Sequence, residues 1–271
     1  MTSSQVRRRP AALVTGGSGG IGLELARCLA RDRQEVVIVA RREAGLAAAA
    51  AELRAAGARG VTTVPADLSR PEEIERLFAT LDASAFDITI LINNAGFGAA
   101  GAFTDRSLDD QLGMIQTNIT ALTHLTHRLL PPMLSRHSGR ILNVASTAAF
   151  QPGPFMAVYY ASKAYVLSFS EALAEELRGS GVTVTTLCPG PTPTGFSARA
   201  RLGATRAFRR GVVTTAGAVA EAGYAGMMRG DRIVVPGAAN KILAQANRLA
   251  PRALMTRIMR GLNERRAPPA G

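Results

Sequence analysis

Ala11-Ala12-Leu13-Val14-Thr15-Gly16-Gly17-Ser18-Gly19-Gly20-Ile21-Gly22 is the stretch whose reading decides the fold. A short apolar run enters a glycine-rich turn, after which Leu23, Leu25, Ala26 and Leu29 begin a helix. The order is strand, tight turn, helix. Glycines are needed where backbone must turn sharply and approach a pyrophosphate, and a helix N-terminus offers free N–H groups and the positive end of a dipole. A glycine turn alone is weak evidence, but in this position it points to a dinucleotide, with Gly16, Ser18, Gly20, Ile21 and Gly22 around the turn.

The alternation continues outward from there. The next apolar strand, 35–40, ends in Arg41-Arg42. An acid at this place suits the ribose 2′-hydroxyl of NAD, whereas Arg41 can accept the 2′-phosphate of NADP; the alternative is a solvated arginine pair at a strand end. An alanine-rich helix is expected over 43–56 and a third strand over 60–65, with Asp67-Leu68 just past it. Asp67 is placed either to bond the adenine amino group or to cap the turn before a helix, 71–82, that Pro71 opens. The buried strand Ile88-Thr89-Ile90-Leu91-Ile92 then runs into Asn93-Asn94-Ala95-Gly96. Strands alternating with helices imply a Rossmann-type α/β fold. Its doubly wound parallel sheet would have about seven strands, with ligands at the strand C-terminal ends.

A second cluster carries chemistry. In Tyr159-Tyr160-Ala161-Ser162-Lys163 the outer tyrosine and the lysine are four apart, so on a helix they share a face and their polar ends can meet in one cleft. A phenol is a poor acid-base group at neutral pH unless a neighbouring cation favours the phenolate, and Lys163 is a candidate for that cation. Ser146 precedes the cluster, and Pro189-Gly190-Pro191-Thr192-Pro193-Thr194 follows it. Taken alone, Tyr159 and Lys163 read equally as surface residues on an ordinary helix.

The chain has 271 residues, 47% apolar and 19% charged, enough for a sizeable core. Its net charge of +12 is unevenly spread: 15 basic residues face 17 acidic ones over 11–195, and the excess lies at both ends and in 196–240. A near-neutral body argues against nucleic acid as the main ligand. Two cysteines, Cys28 and Cys188, give no disulfide framework or paired metal spacing, which fits a reducing cytoplasm. No apolar stretch has signal or membrane-spanning length. His124 and His127 lie three apart, but no third ligand is evident, so no metal is expected.

Together Thr15-Gly16, Gly20, Gly22, Asp67, Asn93-Asn94-Ala95-Gly96, Asn118, Ser146, Tyr159, Lys163 and Pro189-Gly190 with Thr194 resemble the short-chain dehydrogenase/reductase superfamily, in its order, over residues 15–194. The resemblance implies that Tyr159 is the general acid for carbonyl reduction by NADPH and that Ser146 fixes the carbonyl oxygen. It gives Lys163 the nicotinamide ribose and, with the oxidised cofactor, the task of lowering the tyrosine pKa. Asn118 would hold a water linking Lys163 to solvent. Further cofactor contacts implied are Leu68 beside Asp67, Asn93 or Asn94, Ala95 and Gly96 along the ribose, and Pro189, Gly190, Thr192 and Thr194 near the carboxamide and phosphate. The alternative readings are Asn93 as a bridge between strands, Ser146 as a strand-end hydroxyl and Asn118 as a buried amide bonding backbone.

The expected organisation is a flexible basic tail over 1–10, a catalytic domain over 11–238 that includes a substrate lid over 196–228, and a basic amphipathic extension over 239–271. Arg199, Arg201, Arg206, Arg209 and Arg210 in the lid suit either a phosphate-bearing acyl carrier or plain solvation. Phe97, Ala148, Phe150, Pro152, Phe155 and Met156 are expected to form an apolar substrate pocket. In the extension, apolar residues at helical spacing, interrupted by Pro251, alternate with basic ones. Packing on protein is favoured there, with peripheral membrane contact as the alternative. The expected function is NADPH-dependent reduction of a hydrophobic ketone or aldehyde, 3-oxoacyl groups included, by a homodimer or homotetramer. The alternatives are an NAD-dependent secondary alcohol dehydrogenase, which Arg41 opposes, and a non-catalytic dinucleotide sensor or scaffold, which Tyr159 and Lys163 oppose.

Overall fold

In the computed structural model, which describes residues 8–195, 214–249 and 251–264, the strands are β1 (Arg9–Thr15), β2 (Glu35–Ala40), β3 (Gly60–Pro65), β4 (Phe86–Asn93), β5 (Gly139–Val144), β6 (Val182–Leu187) and β7 (Ile233–Val234). They form one sheet in the order β3-β2-β1-β4-β5-β6-β7, every pairing parallel. The helices are α1 (Gly20–Arg31), α2 (Glu43–Ala55), α3 (Pro71–Ala83), α4 (Leu108–Ile115), α5 (Leu122–Ser135), α6 (Ala157–Glu176), α7 (Ala216–Arg229), α8 (Ala238–Leu249) and α9 (Arg252–Asn263).

The strands are apolar on both faces because helices cover both. Ala12, Val14, Val36 and Ile38 turn to one side, where Leu25 and Leu29 of α1 and Leu46 and Leu53 of α2 meet them. Ala11, Leu13, Val37 and Val39 turn to the other, against Leu77 and Phe78 of α3 and Leu125 and Met133 of α5. The chain winds outward from β1 to β3, then returns to β4 on the far side of β1. That reversal opens a crevice at the C-terminal ends of β1 and β4, where ligands of such sheets bind.

Two expectations change. The strand begins at Arg9 rather than Ala11, so Arg9 and Pro10, assigned to the tail, belong to the sheet. The Arg9 N–H donates to the Ala85 carbonyl, and Arg8 donates to Asp82 and the Phe86 carbonyl. Pro10 is tolerated near the strand start, just ahead of a register shift between Ala11 and Ala12. Residues 1–7 of the tail lie outside the described residues. Asn118 lies in a helical run that the sequence pattern extends over 109–130, and a π-helical turn, Gln116–Ala121, interrupts it between α4 and α5. Such turns widen a helix locally and recur at functional sites; this one carries the buried Asn118.

Pro251 separates α8 from α9, as its missing N–H and fixed φ require. α8 turns Asn240 and Ala244 inward, and the Asn240 amide donates to the Pro236 carbonyl at 2.8 Å. α9 turns Met259 and Asn263 inward, against Tyr159 and Tyr160. Ile242, Leu243, Leu254 and Ile258 remain exposed. Among the described residues no helix is long and apolar enough to cross a membrane.

Candidate active site

The glycine turn is built for close approach. Gly16 and Gly20 have φ of +66° and +56°, which side-chain-bearing residues rarely adopt. A Cβ on Gly22 would stand 2.4 Å from the Gly16 carbonyl oxygen and 2.3 Å from the Asn94 amide. Gly19 caps α1 without a side-chain hydrogen bond, and the first turn of α1 holds no acid. The uncapped N-terminus of α1 is thus free to meet an anion, as a pyrophosphate requires. A Cβ on Gly20 would touch Thr194 at 3.2 Å, so the segment after β6 lies directly on this turn.

Asn94, expected on the cofactor, spends its amide on the protein. Its Nδ2 donates to the carbonyls of Thr15 at 3.0 Å and Gly16 at 3.2 Å, while the Thr15 hydroxyl accepts from the N–H groups of Asn94 and Ala95 at 3.0 Å each. The side chain therefore straps the glycine turn to β4. Asn93 bridges β4 to β5 and α5, donating to Asn143 Oδ1 at 2.9 Å and the Thr126 hydroxyl at 3.1 Å.

At the β2 and β3 ends, Arg41 is exposed. Asp67 Oδ1 accepts from the Ser69 N–H at 3.0 Å and its hydroxyl at 2.8 Å, which caps the turn before α3. Burial pushes the Asp67 carboxyl up, but the two Ser69 donors and the neighbouring Arg41 and Arg70 charges outweigh it and hold the group below its ordinary value. The Leu68 side chain is turned into the core, leaving only backbone at that position for a ligand.

The catalytic candidates converge. Ser146, just past β5, opens a short 3₁₀ turn, Thr147–Phe150, and its Oγ accepts from the Ala148 N–H at 3.1 Å. It donates to the Pro189 carbonyl at 3.5 Å and is hydrogen-bonded to the Tyr159 hydroxyl. One turn along α6, the buried Lys163 Nζ lies 6.0 Å from the Tyr159 ring centroid. It donates to the Val144 carbonyl at 2.7 Å. A Cβ on Gly96 would meet Asn118 Oδ1 at 3.0 Å, so the absence of one there lets the Asn94-Ala95-Gly96 loop pass against Asn118, with Lys163 Nζ beside it at 3.6 Å.

The electrostatics run against one expectation. Burial pushes the Tyr159 hydroxyl above its ordinary value, against the Ser146 hydrogen bond that lowers it. Lys163, expected to depress it together with the oxidised cofactor, donates its ammonium to the Val144 carbonyl. Burial also brings Lys163 itself down to about 8, with only the nearby Cys188 opposing. The Cys188 thiol is pushed up to about 12 by burial.

Asn118 likewise acts through backbone. Its Oδ1 accepts from the Phe97 N–H at 3.0 Å, and its Nδ2 donates to the Phe97 carbonyl at 3.0 Å and the Ser162 hydroxyl at 2.9 Å. Both amide hydrogens are committed, so any contact with water must use it as an acceptor.

On the substrate side, Phe97, Ala148 and Met156 gather with Tyr159 as expected, but Phe150 packs elsewhere, against the cluster of Leu122, Val166 and Val235. Sequence reading missed Met114, Met259, Asn263 and the part played by Tyr160, all gathered around the same tyrosine. The one available signal was Asn263, a polar residue four positions after Met259 on the apolar stripe of α9. Residues 196–213 of the expected lid, with its five arginines, lie outside the described residues; α7 forms the remainder. Among the described residues no three His, Cys, Asp or Glu side chains gather as a metal site, and His124 pairs with Glu75 at 3.3 Å.

Residues 10–204 match the family model described as short chain dehydrogenase. The ketoacyl reductase HetN of a Nostoc species is 37% identical over 193 residues, covering 71% of this chain and 67% of that protein. A short-chain dehydrogenase from Sphingobium yanoikuyae, solved in complex with NADPH, is 33% identical with a TM-score of 0.78, over 91% of this chain and 95% of that one. A short-chain dehydrogenase/reductase from Burkholderia phymatum, solved with NAD, is 28% identical with a TM-score of 0.78, over 88% of this chain and 92% of that one. With the parallel sheet, glycine turn and Ser146, Tyr159 and Lys163 in one cleft, this chain belongs to the short-chain dehydrogenase/reductase superfamily of NAD(P)-dependent oxidoreductases.

Proposed function

We propose that this protein reduces a hydrophobic ketone, a 3-oxoacyl group among the candidates, with NADPH as the hydride source and Tyr159 as proton donor. The observation that carries the reading is the Tyr159 hydroxyl bonded to Ser146 in a buried cleft beside Lys163. The Nostoc relative named as a ketoacyl reductase supports the substrate class.

The residues present fit a dinucleotide. The Gly16–Gly22 turn and the uncapped start of α1 would hold the pyrophosphate, the missing Cβ at Gly22 letting the turn close against Gly16 and Asn94. Arg41, with Arg42 beside it, would take the 2′-phosphate, and β2 offers no acid at its end for a free 2′-hydroxyl. Asp67 Oδ2 and the Leu68 backbone would face the adenine. Ala95 and Gly96 would lie along the nicotinamide ribose, and Pro189, Gly190, Thr192 and Thr194 would border the nicotinamide. When bound, NADPH supplies a hydride to the carbonyl carbon.

The chain supplies the rest. Ser146 Oγ orients the substrate oxygen beside Tyr159, and as the C=O π electrons move onto that oxygen it takes the Tyr159 proton, giving the alcohol. A raised tyrosine pKa keeps that proton in place through neutral pH, which suits a reductase. Lys163, near 8, can return a proton to Tyr159, and Asn118 would reach the relay's water only as an acceptor. Two buried thiols, Cys28 and Cys188, suit a reducing cytoplasm. The exposed Leu108 and Leu112 of α4 suit burial against a second copy in a dimer or tetramer.

The test follows nicotinamide absorbance with NADPH and then NADH across 3-oxoacyl thioesters, aromatic ketones, aldehydes and steroids. Turnover of one class with NADPH is expected. Turnover only of secondary alcohols with NAD would replace this reading, and tight NADPH binding without turnover of any substrate would favour a sensor.

A further inference from the structure

We propose that α9 is a fixed wall of the substrate cleft and that Asn263 is its positioning residue. Its amide holds Tyr160 and the loop 153–156 in one arrangement and so sets how bulky a ketone can reach Tyr159. This rests on the reductase reading.

The loop just before α6 is under strain. Phe155 has φ of +64°, a left-handed conformation that a bulky residue adopts only when its surroundings impose it. Three contacts do so. The Gly101 N–H donates to the Phe155 carbonyl at 2.9 Å, the Asn263 Nδ2 donates to the Pro154 carbonyl at 3.0 Å, and the Arg260 guanidinium lies 5.6 Å from the Phe155 ring centroid. Two of the three come from α9, whose start is about a hundred residues further along the chain.

The same asparagine grips the helix that carries the acid. The Tyr160 hydroxyl donates to Asn263 Oδ1 at 3.3 Å, so one buried amide ties α6 on one side and the loop on the other. Tyr160 presses on the loop directly, since a Cβ on Gly153 would stand 2.3 Å from its ring. Tyr160 in turn meets Tyr159 edge to face at 6.0 Å between centroids. Met259, one turn before Asn263, is buried in the apolar cluster that contains Tyr159, Met114 and Met156. Loss of the Asn263 amide would let the loop and the Met259 side of this cluster relax together. The arrangement touches neither the glycine turn nor Arg41, so it bears on substrate and not on dinucleotide.

The test uses the full chain as Asn263→Ala, Tyr160→Phe and Arg260→Ala, measuring kcat and KM for a small and a bulky ketone. The NADPH dissociation constant and amide hydrogen exchange over 153–160 are measured alongside. In Asn263→Ala the ratio of kcat/KM for the bulky over the small ketone should shift about tenfold or more, the scale on which pocket shape discriminates. NADPH affinity should change less than about twofold on the scale where tenfold is 1.4 kcal/mol. Exchange should rise over 153–160 and not in β1. Arg260→Ala, a surface change that leaves the core intact, should shift the ratio in the same direction if Asn263→Ala does not fold. Tyr160→Phe should shift it less, because the Pro154 bond survives. An equal loss on both ketones, or a ratio and exchange that stay as in the wild type, would overturn the proposal. A wild type inert toward every ketone would overturn the reductase reading and the size selection with it, while exchange would still decide the clamp.

Discussion

Lys163 Nζ donates to the Val144 carbonyl at 2.7 Å, inside the protein, and lies 6.0 Å from the Tyr159 ring centroid. A buried ammonium is costly, and the lysine responds with a pKa of about 8 against 10.5 for the free group. Between those values the unfolded chain binds more protons than the folded one, so this group makes stability rise with pH. Unfolding by denaturant should show a gain of about 1 kcal/mol from about pH 7 to about pH 9 attributable to Lys163. Lys163→Met should abolish that portion of the slope. A variant whose pH dependence matches the wild type would show that the lysine is hydrated after all.

Gly22→Ala tests the turn. The added methyl meets the Gly16 carbonyl oxygen at 2.4 Å, a backbone atom that cannot swing aside. A loss of about 1–3 kcal/mol of stability is expected, with weakened NADPH binding, since overpacking at this scale forces backbone shifts. Gly19→Ala is the control: its Cβ meets nothing within 4 Å and its backbone is extended, so it should cost less than Gly22→Ala. Equal losses would contradict the close-approach reading of Gly22.

Arg41→Glu should reverse the nucleotide preference. A charged hydrogen bond contributes about 1.5–3 kcal/mol, so the NADPH dissociation constant should rise at least about tenfold. Binding of NADH should hold or improve, because the new carboxylate can accept from a 2′-hydroxyl. Nucleotide titrations by fluorescence check this, and an unchanged NADPH affinity would remove Arg41 from the site.

Asn118→Ala removes three hydrogen bonds and leaves both backbone groups of Phe97 without this partner. A destabilisation of about 2–4 kcal/mol is expected from orphaned buried polar groups. Turnover should fall with it, as the Gly96 loop beside Lys163 loosens. Asn118→Asp keeps the acceptor toward the Phe97 N–H and should recover part of the stability. Urea titration distinguishes the two.

The fold was legible because its signals are local. Apolar strands such as Val36–Val39, a glycine turn after β1 and Pro71 at the start of α3 all act within a few residues, and each gave its element to within about two positions. Tyr159 and Lys163 were legible by helical spacing. What escaped depends on distant packing. Nothing in Asn94 announces that its amide will strap Thr15 and Gly16, nor in Leu68 that its side chain will enter the core. The burial that raises the Tyr159 pKa comes partly from α9, whose contact with Tyr160 spans 103 positions. Phe150 was misplaced because a 3₁₀ turn, Thr147–Phe150, gives no clear period to read.

The most direct measurement compares Tyr159→Phe with the wild type in NADPH-driven reduction of the best ketone, with NADPH binding measured on both. Removing the hydroxyl bonded to Ser146 should lower kcat by about 100-fold or more, the scale of general acid catalysis, while NADPH affinity stays within about twofold. Turnover that persists in Tyr159→Phe at the wild-type rate would contradict Tyr159 as the acid.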